Sequence, residues 1–211
     1  MIKKGRSPVL TPAGNPFSTG YERLASLVCE DMGRYGPDPL NSLSYVTLHA
    51  SYTDFGSTVP MHELRRIILG DYDSDWDVVV KQLSQSDTLM LWPSTAYGPD
   101  RPGVALDPAI YFGRREKGLV IQDWLDSLSI RTLCSIQVCA GAFHSVHIAY
   151  RLLNTHSPVP ASALARGIVN LPNDIHPFFF ATEDPQGAEQ RITTFLEKII
   201  VYVSFPDETA S

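Results

Sequence analysis

Apolar residues recur at helical spacing through most of this chain. After a polar start at residue 18 or 19, Tyr21, Leu24, Leu27, Val28 and Met32 form the stripe of a helix buried along one face, and Gly33 and Gly36 end it. A second helix is expected over residues 40–52, with Leu43, Val46, Thr47 and Ala50 in register. Val59 is held extended by Pro60, and residues 61–69 then place Leu64, Ile67 and Ile68 on one face before Gly70 closes the helix. Asp71, Asp73 and Ser74 can cap a further helix carrying Trp76, Val79, Val80 and Leu83. The pattern then changes to two short strands, 88–92 and 109–112, around a turn-rich stretch at 95–108.

Residues 119–154 read as helical almost throughout, with Gly141 as a candidate break, so two helices or one kinked helix are expected there. A last helix over 188–199 carries Ile192, Phe195, Leu196 and Ile199, and the β-branched run at 200–205 reads as a closing strand. An insertion at 170–187 contains Phe178, Phe179 and Phe180, which suit a core strand or a docking surface. Residues 157–168 can be laid on 57–68 with Ser, Val, Pro, Leu, Arg and Ile matching, which suggests an internal repeat.

The order helix, helix, strand, turn-rich tip, strand over residues 40–112 resembles the winged helix-turn-helix superfamily. The resemblance extends to a shortened second copy after residue 154. It implies a mainly α-helical fold with small β-hairpins: a tandem winged helix joined by a long central helical segment. The expected divisions are an N-terminal arm at 1–18, a first winged-helix domain at 19–118, a central segment at 119–154 and a truncated second domain at 155–211. Among tandem members, the length, acidic balance and long central helix are similar to the kleisin-interacting winged-helix subunits of bacterial SMC-type complexes.

With 211 residues, 44% of them hydrophobic and 19% charged, the chain can bury a substantial core. A net charge of -6 removes any global attraction to phosphate, so contact with DNA would need a local basic patch. No uninterrupted apolar run is long enough to span a membrane, and Pro, Thr and Gly follow the early Lys3, Lys4 and Arg6 where a secretory signal would be apolar. The expected location is cytoplasmic. Three cysteines do not form a disulfide framework and are expected to be reduced and buried.

Candidate chemistry falls into two groups. Contacts to DNA or to a partner would come from Arg65, Arg66, Lys81, Gln82, Gln85, Arg101, Arg114 and Arg115, although Asp71, Asp73, Asp75 and Asp77 crowd the end of the helix that would face phosphates. Cys134, Cys139, His144 and His147 are the densest set of metal-ligating types, but their spacing lacks the close cysteine pairs of structural zinc sites. No phosphate-cradling glycine signature or serine elbow occurs, so no metal, no cofactor and no catalytic residue is expected. The leading expectation is a non-catalytic subunit that binds another protein, or its own copy, within a DNA-handling assembly. A DNA-binding transcription or replication regulator is the alternative, and a small thiol or metal-dependent enzyme built on Cys139, His144 and His147 is the third reading.

Overall fold

The computed structural model describes residues 1–4, 7–35, 43–56, 58–69, 123–143, 146–154, 158–169 and 184–208. Seven helices lie within these residues: α1 (Glu22–Tyr35), α2 (Tyr45–Phe55), α3 (Met61–Leu69), α4 (Ile130–Phe143), α5 (Val146–Leu153), α6 (Ala161–Val169) and α7 (Pro185–Val203). The only paired strands among the described residues are β1 (Lys3–Lys4) and β2 (Ser7–Pro8), antiparallel with Lys3 opposite Pro8.

α2 is the helix the others surround, packing against α1, α4 and α7. Tyr45, Val46, Leu48, His49, Ala50 and Ser51 are all buried and its other residues are half-buried, so it has no fully exposed face and no strong amphipathic stripe. Ser44 caps its start by accepting from the Thr47 N–H, and the Asp31 carboxylate of α1 accepts from the Tyr45 N–H at 2.7 Å. Asp31 also pairs with Lys198 of α7 at 2.8 Å, which ties three helices together at one point. α4 buries seven of its fourteen residues and packs against α2, α3, α5 and α7. It runs through Gly141, the candidate break, without interruption as far as Phe143.

The sequence repeat corresponds to a repeated local structure. Leu64 donates its N–H to the Pro60 carbonyl at 3.0 Å, and Leu164 donates to Pro160 at 3.1 Å. Both leucines are fully buried, and Ile68 and Ile168 line the same side of their helices. The copies diverge in what they pack against. α6 places Ala161, Ala165 and Ile168 along one stripe, and its two small alanines let it lie close to α7 in the most extensive helix pair among the described residues. α3 carries Met61 and Arg65 at the corresponding positions and packs against α4.

These helices correct the expected tandem winged helix. Residues 200–203, read as strand, are the last turn of α7, and 204–205 form the turn that follows. Val201 and Val203 are half-buried, Tyr202 is fully buried and Ile200 is 44% exposed, the phase of a helix and not the alternation of a strand. Packing of Ile199 and Tyr202 against the core outweighs the β-branched propensity of the run. No winged hairpin occurs among the described residues. The strands expected at 88–92 and 109–112, the tip between them, the capped helix before them and the Phe178–Phe180 stretch lie outside the described residues.

The N-terminal stretch expected as an arm packs on the helices. Ile2 donates to the Phe17 carbonyl at 2.7 Å, Phe17 donates to Val9 at 2.9 Å, and Phe17 is fully buried. A turn at residues 11–15, with Gly14 at φ 83°, is clasped by Asp54 at the end of α2. That carboxylate accepts from the Thr11 hydroxyl, the Ala13 N–H and the Asn15 amide. No helix among the described residues is long and apolar enough to cross a membrane.

Candidate functional site

The buried polar side chains of a helix must be satisfied inside the protein. On α2 the side chain with most at stake is His49, which is fully buried. Its Nε2 lies 2.9 Å from the Ser18 carbonyl and its Nδ1 lies 2.9 Å from the Tyr202 hydroxyl. A carbonyl only accepts, so Nε2 carries the hydrogen and Nδ1 accepts from Tyr202. The Tyr202 oxygen in turn accepts from Nη1 of Arg131 at 3.1 Å. The direction of the whole relay follows: Arg131 donates to Tyr202, Tyr202 to His49, and His49 to Ser18.

Arg131 is a charged residue with no exposed surface. Its guanidinium lies 4.0 Å from the centre of the Tyr52 ring and 5.1 Å from that of Tyr202, within range for a cation–π attraction. Its Nε donates to the Pro206 carbonyl at 3.1 Å, and its Nη2 reaches the Glu208 carboxylate at 3.5 Å. Asp207 completes the closure by accepting from the backbone N–H groups of Ile130 and Arg131 at 3.0 and 2.9 Å. The start of α4 is thus capped by a carboxylate from more than seventy residues away in sequence. Glu208 also accepts from the Thr19 hydroxyl at 2.6 Å, while its own N–H donates to the Tyr52 hydroxyl at 2.8 Å.

Burial holds the His49 imidazole down at about 4, against an ordinary value of 6.5. The Ser18 carbonyl and the Glu208 carboxylate pull the other way, and Arg131 pushes in the same direction as burial. Burial also raises the Tyr202 phenol well above its usual value, so it stays a donor at any ordinary pH. Tyr52 is raised as well, chiefly by burial.

The thiols sit in a different setting. Cys134 and Cys139 are buried on α4; burial pushes Cys134 up to about 12 and raises Cys139 further. A nucleophilic or metal-binding cysteine needs its thiolate, which these surroundings oppose. His144 and the side chain of His147 lie outside the described residues, and no group of three metal-ligating side chains occurs among those described. Cys29 is exposed on α1.

Arg65 and Arg66, expected as contacts, are adjacent on α3 and take different roles. Arg65 donates to the carbonyls of Leu125 and Asp126 at 3.2 and 3.1 Å and pairs with the Asp126 carboxylate, closing the helical turn at 123–126 against α3. Arg66 pairs with Glu63 on its own helix. Lys81, Gln82, Gln85, Arg101, Arg114 and Arg115 lie outside the described residues. None of the relay residues is among the candidate site residues that the sequence offers. An arginine in the first turn of a very apolar helix is the one signal that could have pointed to them. Comparison with protein-family models, with curated proteins and with solved structures finds no match to this chain.

Proposed function

We propose that this chain is a non-catalytic, cytoplasmic helical subunit that works by assembling with another protein or with its own copy. The observation that carries this reading is how the described core uses its reactive side chains. Cys134, Cys139, His49, Arg131 and Tyr202 are all fully buried, and the last three hold chain segments together. The thiol-enzyme alternative would need Cys139 as a thiolate, which its burial disfavours. The DNA-binding alternative loses support from Arg65 and Arg66, whose charges are met by Asp126 and Glu63.

Large apolar side chains do reach solvent, with Ile200 at 44% on the outer face of α7 and Met61 at 37% at the start of α3. Light scattering across a concentration series should give a mass above that of one chain, and Ile200→Asp should lower it without changing helix content. A mass of one chain at every concentration, with no partner retained in a stoichiometric complex from the native source, would remove the proposal. A duplex titration at low salt separates the regulator reading, which requires binding that weakens steeply as salt rises.

A further inference from the structure

The segment after α7 is held differently from the helices it closes. Residues 206–208 are tied to the described helices by polar contacts: the Pro206 carbonyl on Arg131, the Asp207 carboxylate on the start of α4, and Glu208 on Arg131, Thr19 and Tyr52. Phe205 adds one half-buried ring, 5.6 Å from that of Tyr21. The helices, by contrast, share a continuous apolar core. The C-terminal strap is therefore the part of this region able to leave first while the helices stay packed.

The groups facing the His49 imidazole come from five segments of the chain. They are Tyr52 on its own helix, Tyr202 from α7, Arg131 from α4 and Glu208 from the strap, while the N-terminal segment supplies the Ser18 carbonyl and the uncharged Phe17 ring. Asp207 and Cys134 stand one step further out, against Tyr52 and Tyr202 respectively. Both donor positions of an imidazolium would then be filled, and Nδ1–H would meet the Tyr202 oxygen from which it now receives a hydrogen. That oxygen already accepts from Arg131, so the phenol hydrogen would be left with no acceptor in the relay. A second positive charge would also stand beside a buried guanidinium.

We propose that His49 is the switch of an acid-sensitive latch, whose protonation breaks the relay to Arg131 and releases the strap at 204–208 from the start of α4. The coupling is reciprocal: anything that draws the strap away makes His49 easier to protonate.

The test uses the full-length chain. Hydrogen exchange at the Ile130 and Arg131 amides, corrected for intrinsic rate, reports the contact with Asp207, while the His49 Cε1–H resonance reports its titration. Protection at both amides should fall about tenfold per pH unit as pH drops from 6.5 toward 4, while far-UV circular dichroism stays constant. In His49→Gln, whose amide can donate to Ser18 and accept from Tyr202, the protection should stay flat over that range. Equal loss in His49→Gln would assign the opening to Asp207 and Glu208 and overturn the proposal. Loss of protection together with loss of helix would reduce it to acid unfolding and also overturn it. Should His49→Gln fail to fold, the wild-type protein decides: a fall in protection that levels off at the pH where the imidazole titrates sustains the latch, and levelling off more than about one pH unit away from it overturns the proposal.

Discussion

The two ends of α7 work by different physics. It packs along α6, and both helices bury an apolar face, with Leu164, Ala165 and Ile168 on α6 and Ile192, Phe195, Leu196 and Ile199 on α7. Its last turn presents Tyr202 to a buried histidine and a buried arginine, closed over by a strap of two carboxylates. The apolar seam is non-directional, and the titratable pair across it, Arg166 with Glu189 at 3.5 Å, lies at its solvent edge, so its contribution depends little on pH. The polar end depends on every hydrogen having one donor and one acceptor, and it answers to protons, charge and the position of the strap. One helix therefore anchors the fold at one end and makes a conditional contact at the other.

This contrast can be broken from either side. The largest effect belongs to the seam: Phe195→Ala should cost about 3–5 kcal/mol in denaturant unfolding, by the same amount at pH 7 and pH 5. A cost that changes with pH would blur the division between the two ends. Arg131→Ala comes next, at about 3 kcal/mol, since it strips Glu208 of its buried partner and Tyr202 of its donor. Its effect should be smaller in a Glu208→Gln background, because the two changes share one network.

The pH dependence of the wild-type protein follows in size. His49 titrates at about 4 when folded and at 6.5 ordinarily, so as pH falls the unfolded chain binds the proton first. Stability should be undiminished by this group above pH 6.5, decline between 6.5 and 4, and lose about 3 kcal/mol in all. Unfolding curves at half-unit steps of pH would show that decline, and His49→Gln should remove it. The smallest effect is expected at the N-terminal turn, where Asp54→Ala should cost about 1 kcal/mol and raise exchange at Ala13 while leaving the α6–α7 seam unchanged.

The seam was largely legible from the residues, and the polar end was not. Ile192, Phe195, Leu196 and Ile199 announce a buried helical face by their spacing alone. The Val59–Pro60 and Val159–Pro160 pairs mark where two helices begin. The run at 200–205 was read as strand because its β-branched residues favour one locally, and the deciding contact, Tyr202 to His49, spans 153 positions. Residues 18, 49, 131, 202, 207 and 208 share no local pattern, and each alone has an ordinary explanation.

Helix content, the apolar stripes and the paired helix starts are properties of spacing and backbone restriction, which act within a few residues and can be read along a line. Which helix lies on which, and the relay from Arg131 through Tyr202 and His49 to Ser18, depend on groups far apart in the chain. Burial makes those groups find one another, because an unmatched donor or a lone charge in the interior costs more than ordering the segments that satisfy it.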